Sequence, residues 1–252
     1  MHYKTYLLTS LLLFSGLSLC AGNIVGQFTG EVNVAWGEAI PGVKTKIHTN
    51  EKIIALTFDA CGSVNDGYDA KLIDYLIKEK VPATLFVTGR WIDKFKKEFI
   101  NLSKDSLFEI ENHGLNHKPA SVKGESAYGI KGTRNIQELI DEVEKNAVKM
   151  QNLTGKKPKF YRSGTAYYDE AAVKVIKKLG YEAVGFSVLG DAGATFSKAK
   201  VKQQLLSAPA GSIIIMHMNH PEKDTAEGVI EAIPILKEKG FKFVKLEDYI
   251  LE

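Results

Sequence analysis

The chain has 252 residues and a formal net charge of +3. Its composition, 44% hydrophobic and 25% charged, excludes an intrinsically disordered protein and is sufficient for one sizeable core. The small net charge and the scattered lysines give no reason to expect a nucleic-acid partner.

Residues 1–21 have the layout of a secretory signal peptide. Lys4 precedes an apolar run from Tyr6 to Leu19, and small residues follow this run. The run is short for a membrane span, so we expect cleavage and an exported protein, periplasmic or extracellular. Membrane association would require that this segment is retained or that Cys20 carries a lipid.

Residues 22–50 lean toward β structure, and we interpret them as an N-terminal flap on the main domain. The stretches Val32–Trp36 and Val43–Thr49 alternate between apolar and polar residues in the manner of half-exposed strands. The Pro41-Gly42 pair between them predicts a turn, and therefore a short β hairpin.

Residues 51–252 alternate between short apolar runs and amphipathic stretches. We predict strands at Ile53–Phe58, Ala83–Val87, Leu107–Ile110, Lys159–Tyr161, Glu182–Phe186, Ser212–Met216 and Phe241–Val244. We predict helices at Tyr68–Glu79, Trp91–Ser103, Asn135–Thr154, Glu170–Leu179, Lys198–Ser207 and Thr225–Lys239, three of them capped by Gly155, Gly180 and Gly240. This alternation predicts one α/β domain with a parallel sheet, either a barrel or an open doubly wound sheet.

Polar residues end several of the predicted strands. Asp59 ends the first, where α/β folds place their chemistry, although an Asp there can also be a helix N-cap. Arg162 ends the fourth strand, and its guanidinium can hold a carboxylate bidentately. Asp191 follows the fifth strand and His217 ends the sixth, and a His bonded to a carboxylate can act as an acid near neutral pH. Their shared position at one rim favours a catalytic site over separate structural roles.

The third strand is followed by His113 and His117, four positions apart. If this segment turns helically, both imidazoles face the same way and suit a shared metal; otherwise they are surface residues. The sequence has two cysteines, and the loss of Cys20 with the signal peptide leaves Cys61 without a disulfide partner. Cys61 is therefore a packing residue or a ligand.

Five ordered stretches, TFDACG, HGLNH, YRSG, GDAG and IIMH, resemble the motifs of the polysaccharide deacetylases, carbohydrate esterase family 4, which share the NodB homology domain. The resemblance runs from about Val43 to the C-terminus and implies that residues 51–252 are the catalytic domain. It implies an α/β fold, a distorted (β/α) barrel of about seven parallel strands. It also implies a metal-dependent hydrolase that removes acetyl groups from a polysaccharide.

The resemblance implies a role for each of four strand-end residues. Asp59 matches the general base that activates a metal-bound water, and Arg162 matches the arginine that orients this base. His217 matches the general acid that protonates the leaving amine, and Asp191 matches the acid that tunes it.

The implied metal site departs from the family pattern in one ligand. His113 and His117 match the metal-binding pair, which typically holds zinc or another divalent ion, but Ala60 replaces the aspartate that is the usual third ligand. The candidates for its replacement are Cys61, Asp66, Asp59 and water molecules. A thiolate with two imidazoles would suit Zn²⁺, whereas water would give weaker binding.

The implied substrate is an N-acetylated glycan of the GlcNAc type, in peptidoglycan, a secreted exopolysaccharide or chitin. Removal of O-acetyl groups is an alternative, and Ala60 motivates another, a noncatalytic glycan-binding protein on the same scaffold. The retained acid and base residues argue against the second alternative. Four aromatic residues would stack on sugar rings if they line the groove, and otherwise have a packing role: Trp91, Tyr128, Tyr167 and Tyr168.

Overall fold

The computed structural model describes residues 23–30 and 35–252. The expected signal peptide, residues 1–21, lies outside this range, as does Cys20, so cleavage and lipidation both stay predictions. No helix in the described part of the chain is long and apolar enough to cross a membrane.

Strands and helices alternate along most of the described chain. In chain order the strands are β1 (Trp36–Gly37), β2 (Ile53–Ala60), β3 (Ala83–Val87), β4 (Phe108–Asn112), β5 (Ser126–Ala127), β6 (Ile130–Lys131), β7 (Phe160–Tyr161), β8 (Tyr168–Asp169), β9 (Glu182–Ala183), β10 (Val188–Leu189), β11 (Ser212–His217) and β12 (Lys242–Phe243). The helices are Ala70–Lys78, Gly89–Lys94, Lys96–Lys104, Ile136–Thr154, Glu170–Lys178, Lys198–Leu206 and Thr225–Glu238, with short 3₁₀ turns at Gly164–Ala166 and Leu246–Asp248. Residues 23–28 are also helical.

The central sheet has eight strands, and every pair in it is parallel. Its order is β10–β11–β2–β3–β4–β7–β9, and β12 lies beside the first residues of β2. Residues 184–187 connect β9 to β10, which pair with β7 and β11 at opposite ends of this order. The sheet therefore curls back on itself. Each of the seven predicted strands overlaps an observed one, although only β9 forms within the predicted fifth strand and β10 lies beyond its predicted end at Phe186. The predicted distorted barrel is confirmed.

Strand β2 is buried along its whole length. Leu56 and Phe58 pack in the large core between the sheet and the helices. Ile53 and Ala55 point the other way, into a second core inside the curled sheet. Burial of each large apolar side chain contributes about 1.5–3 kcal/mol. Because side chains alternate along a strand, Asp59 continues the inward face and reaches the interior at the carboxyl end of the sheet.

The helix boundaries follow local capping chemistry. Five helices begin at a polar N-cap whose side chain accepts a backbone hydrogen bond: Asp69, Thr88, Asn135, Asp169 and Ser197. The predicted C-cap glycines Gly155, Gly180 and Gly240 all have positive φ, as a helix end requires.

One predicted helix, Trp91–Ser103, is divided at Phe95, so its expected continuity was wrong. Phe95 has φ −123° and ψ 44°, outside the helical region. The break redirects the chain so that Trp91 and Phe99, both fully buried, enter the same core.

The predicted N-terminal hairpin is not formed by the described residues of its two stretches. β1 instead pairs antiparallel with β8, and Lys44 and Ile47 make isolated bridges to Val184 and Leu251. Each stretch thus satisfies backbone groups on the main domain, where Ile47 is also buried. Val32–Val34 lie outside the described residues. The segment still packs on the main domain, as the interpretation of a flap requires.

Candidate active site

Asp59 lies at the carboxyl end of β2 and is buried. Its Oδ1 accepts a hydrogen bond from Arg162 Nη1 at 2.8 Å, and its Oδ2 lies 3.5 Å from His113 Nε2. The strand-end arginine therefore contacts this carboxylate, but through one oxygen and not bidentately as the sequence suggested. One carboxylate oxygen is held by a cation, and the other faces the histidine pair.

The guanidinium of Arg162 is fully buried and held from several sides. Its Nη1 also donates to Thr57 Oγ1 at 2.8 Å, and its Nη2 donates to the carbonyl of Gly185 at 2.9 Å. The Phe86 ring lies 4.1 Å from the guanidinium carbon, in a cation–π contact. A buried charge needs such partners, since an unpaired one is strongly destabilising. Thr57 and Gly185 were not anticipated from the sequence.

His217 and the buried Asp191 form a second pair. The imidazole Nδ1–H donates to Asp191 Oδ1 at 2.9 Å, and the backbone N–H of His217 donates to Oδ2 at 2.7 Å. The hydroxyl of Thr225 donates to the same Oδ2 at 2.9 Å. Burial alone would lower the pKa of His217, but the Asp191 carboxylate raises this pKa well above its ordinary value. Thr225, a helix-start residue, carried no signal in the sequence.

His113 and His117 lie in a loop and not in a helical turn. The helical turn that would have placed both imidazoles on one face is therefore not present. His113 Nδ1–H donates to the carbonyl of Arg162 at 2.8 Å, which leaves its Nε2 as the free ligand atom. Gly114 and His117 have φ of 82° and 61°, and this left-handed backbone brings the two rings to 4.8 Å between centroids. The carboxylate of Glu142 fixes the loop by accepting the N–H groups of Asn116 and Lys118.

The thiol of Cys61 completes a cluster with the two histidines. The ligand atoms of Cys61, His113 and His117 all lie within 4.8 Å of one another, and no other such group of three occurs in the described part of the chain. Burial lowers the pKa of both histidines, which favours the neutral form that binds metals. One sulfur and two nitrogens are a donor set that zinc prefers. The residues therefore fit a divalent ion.

Asp66, another candidate for the third ligand, does not belong to this cluster. Its carboxylate accepts the backbone N–H of Ser63 at 2.7 Å and also the Ser63 hydroxyl. Asp59 lies beside the cluster but is held by Arg162. The geometry thus favours Cys61 among the alternatives that the sequence left open.

A cavity of about 410 Å³ opens over Asp59, His117 and His217. Its other lining residues are mostly apolar or small and include Tyr128, Phe186, Leu189 and Ile215. Of the four aromatic residues proposed for sugar stacking, Tyr128 lines the cavity and Tyr167 contacts it ring to ring. Trp91 and Tyr168 are fully buried, so the condition for stacking is not met at these two positions and both are packing residues.

Comparison with known proteins identifies the family. A profile described as polysaccharide deacetylase matches residues 46–184, more than half of the chain. The chain belongs to the polysaccharide deacetylase family. It is therefore a polysaccharide deacetylase by class, as the resemblance implied. Asp191 and His217 lie beyond the matched residues.

Individual members support this membership. The chain is 31% identical over 216 residues to the peptidoglycan-N-acetylmuramic acid deacetylase PdaA of Bacillus subtilis, covering 81% of this chain and 74% of that protein. A family 4 carbohydrate esterase structure from Bacillus anthracis is 28% identical, with a TM-score of 0.67, 86% of this chain covered and 96% of that one. A family 4 pseudoenzyme structure from Bacillus anthracis has the same TM-score at 21% identity, with 84% of this chain covered and 69% of that one, and shares the fold.

Proposed function

We propose that this deacetylase is a metal-dependent hydrolase that removes N-acetyl groups from GlcNAc-type residues of a cell-envelope polysaccharide such as peptidoglycan. One observation carries the proposal. Two pairs, Asp59 with Arg162 and His217 with Asp191, lie with a Cys-His-His cluster at one cavity. Amide hydrolysis needs a water made nucleophilic, a stabilised oxyanion and a proton for a poor leaving group.

Asp59 would act as the general base. Arg162 occupies Oδ1 and keeps the carboxylate fixed, while Oδ2 faces the cluster, where it can accept a proton from an attacking water. Thr57 Oγ1 accepts a hydrogen bond from the same guanidinium nitrogen, which fixes the direction of the Arg162 side chain. The base would thus be oriented through a chain of buried contacts.

His217 would act as the general acid. Its Nδ1–H is held by Asp191, so its Nε2 is the atom that can deliver a proton to the leaving amine. Because Asp191 also accepts the backbone N–H of His217 and the Thr225 hydroxyl, the imidazole cannot easily rotate. This arrangement supports proton delivery at a fixed position in the cavity.

Cys61, His113 and His117 would hold the divalent ion, for which the donor set favours Zn²⁺. When bound, the ion would supply Lewis-acid polarisation of the substrate carbonyl and of the attacking water. The carbonyl of Arg162 would orient His113 as a ligand by accepting its Nδ1–H.

The substrate assignment rests on relatives and on the predicted signal peptide. A deacetylase of Bacillus subtilis that acts on the N-acetylmuramic acid of peptidoglycan shares 31% of its aligned residues with this chain. A polymer outside the membrane requires an exported enzyme, which agrees with the signal peptide predicted at residues 1–21. We therefore propose a periplasmic or extracellular site of action.

A noncatalytic glycan-binding protein is the second candidate. Ala60, whose methyl group cannot bind a metal, and the pseudoenzyme with the same fold favour it. O-acetyl removal is a variant of the first proposal that would use the same residues. Because an alcohol is a better leaving group than an amine, this reaction would depend less on the general acid.

Release of acetate from N-acetylglucosamine oligomers and from peptidoglycan tests the proposal. Asp59→Asn and His217→Ala should each abolish release while circular dichroism shows an intact fold. Unchanged release in either variant would refute the role assigned to that residue. Binding of the oligomers without release by the unsubstituted protein, even with added zinc, would favour the glycan-binding candidate.

A further inference from the structure

Two residues outside the catalytic motifs, Glu38 and Tyr128, line the same cavity as Asp59 and His217. Glu38 precedes residues 46–184, the part of the chain that the family profile matches. This side of the cavity is therefore contributed in part by the N-terminal segment, and it can give this chain a preference that the family motifs do not encode.

Glu38 is fixed in place by pairing on both sides of it. β1, which ends at Gly37, is paired with β8 by antiparallel hydrogen bonds. On the other side Val43 N–H donates to the carbonyl of Ile40 at 3.1 Å, and both of these side chains are buried. The carboxylate is thus presented to the cavity by a segment whose backbone is anchored.

Tyr128 stands at the tip of the β5–β6 hairpin with 75% of its surface exposed. Its φ of 50° is in the left-handed region, which a bulky side chain rarely adopts. Its hydroxyl donates to Glu38 Oε1 at 3.0 Å. Its ring meets Tyr167 edge to face at 5.6 Å, and Tyr167 in turn lies 5.5 Å from the ring of Trp36. A strained, exposed tyrosine held by these contacts indicates a functional surface.

The carboxylate of Glu38 differs from the other carboxylates at the cavity in its ion pairing. Asp59 is neutralised by Arg162, and Asp191 is paired with His217. Glu38 makes no ion pair with a lysine, arginine or histidine in the described part of the chain, and Tyr128 occupies one of its oxygens. The second oxygen can accept hydrogen bonds from a ligand.

A carboxylate oxygen beside an exposed aromatic ring is suited to a sugar, whose hydroxyls donate and whose C–H face packs on the ring. The cavity volume of about 410 Å³ falls within the range of small-molecule sites, roughly 300–1,000 Å³. An unpaired carboxylate also repels an anionic ring, since like charges are unfavourable in a partly buried site. The site should therefore select for neutral, hydroxyl-bearing rings.

We propose that Glu38 and Tyr128 form a subsite for a sugar unit of the glycan chain that carries no free carboxylate, either N-acetylglucosamine or a muramic acid whose carboxylate is amide-linked to peptide as in peptidoglycan. Glu38 then discriminates against units whose carboxylate is free, such as muramic acid without its peptide. This proposal rests on the proposed function and adds the chemistry of the unit bound beside the hydrolysed one. Glu38 is a specificity-determining residue in it and takes no part in proton transfer.

Calorimetric binding in an Asp59→Asn background, which should leave the ligand intact, tests the subsite apart from turnover. The ligands are an N-acetylglucosamine tetramer and a tetrasaccharide of alternating N-acetylglucosamine and N-acetylmuramic acid. Glu38→Gln should weaken tetramer binding about tenfold, the equivalent of one charged hydrogen bond, and should strengthen binding of the anionic ligand. Tyr128→Ala should weaken binding of both. Glu51→Gln, an exposed charge directly after the N-terminal segment, is the matched control and should change neither.

Equal affinities in the Glu38→Gln and control proteins, or no measurable binding of either ligand by the parent protein, would overturn the proposal. A kinetic measurement separates its failure from failure of the proposed function. With Asp59 present, Glu38→Gln should raise the KM for the tetramer and leave kcat unchanged. If no variant releases acetate but Glu38→Gln still differs from the control in its affinity for the two ligands, the subsite is supported and the proposed hydrolysis is refuted.

Discussion

Asp59 and His217 are register partners on two adjacent parallel strands, β2 and β11. Partners in register point to the same face of a sheet, so both side chains enter the cavity from the same edge. Arg162 then holds one and Asp191 the other, each at 2.9 Å or less. The proposed base and acid are therefore positioned by the strand pairing itself, independently of the loops that carry the histidine pair.

Loss of the Arg162 side chain should destabilise the fold. Arg162→Gln leaves the buried carboxylate of Asp59 without its cation, which costs about 3–5 kcal/mol in the free energy of unfolding. Urea denaturation measures this change. Arg134→Gln, which removes an exposed arginine paired with Glu138, is the control and should have little effect. If the free energy of unfolding falls no more in Arg162→Gln than in Arg134→Gln, the buried pair does not stabilise the fold as proposed.

Substitution of Cys61 should impair metal binding specifically. Cys61→Ser should weaken zinc binding by more than about 100-fold, because loss of an outer-shell partner alone costs about 10–100-fold. Elemental analysis and competition with a chelating dye measure the affinity. Asp66→Asn is the matched comparison, since its carboxylate bonds to Ser63 and lies outside the cluster. Zinc retained in Cys61→Ser and lost in Asp66→Asn would reverse the ligand assignment.

Asp191→Asn should slow turnover through the orientation of His217. An amide can still accept one hydrogen bond but cannot support a positive imidazole, so kcat should fall by about 10²–10⁴-fold. The measurement is acetate release under saturating substrate, with the melting temperature as a check on folding. Asp93→Asn, at an exposed ion pair with Lys149, should keep full activity. A kcat within twofold of the unsubstituted enzyme would remove Asp191 from the mechanism.

Two buried glutamates on β4 should make stability depend on pH. Burial, followed by the neighbouring Glu109, raises the pKa of Glu111 well above its ordinary value, although Glu111 accepts the N–H groups of Lys159 and Phe160. The folded chain therefore keeps a proton that the unfolded chain releases, and stability falls as pH rises from the ordinary pKa toward the raised one.

Glu111→Gln removes this titration while keeping an oxygen acceptor for the two N–H groups. Its melting temperature relative to the unsubstituted protein should therefore increase as the pH is raised from about 5 to about 8. Glu238→Gln, an exposed glutamate, serves as the control. Parallel pH profiles for Glu111→Gln and the unsubstituted protein would show that the glutamate is not protonated in the fold.

The strands and the strand-end residues could be predicted because their signal is local. β2 and β11 are nearly continuous apolar runs, and the polar residues near their ends, Asp59 and His217, must lie at the carboxyl edge of a parallel sheet. The same reasoning led to Arg162, which indeed contacts Asp59. The strand-end positions therefore predicted that these residues share one edge of the sheet, and the family resemblance implied which of them pair.

What could not be predicted depends on contacts between distant residues. β1 and β8 have two residues each, too few to show a period, and their pairing joins positions more than a hundred residues apart. The left-handed backbone of His117 is imposed by the loop that Glu142 holds, which residue types alone do not reveal. In the sequence, Thr225 likewise looks like an ordinary helix-start residue, and its hydrogen bond to Asp191 is evident only in the folded structure.

Zinc-dependent acetate release from N-acetylglucosamine oligomers tests the central claim most directly. Protein stripped of metal with a chelator should release no acetate, and about one equivalent of Zn²⁺ should restore release, since the cluster of Cys61, His113 and His117 forms one site. Full release by the stripped protein would contradict metal dependence. No release at any zinc concentration, from these oligomers or from peptidoglycan, would contradict the proposed activity.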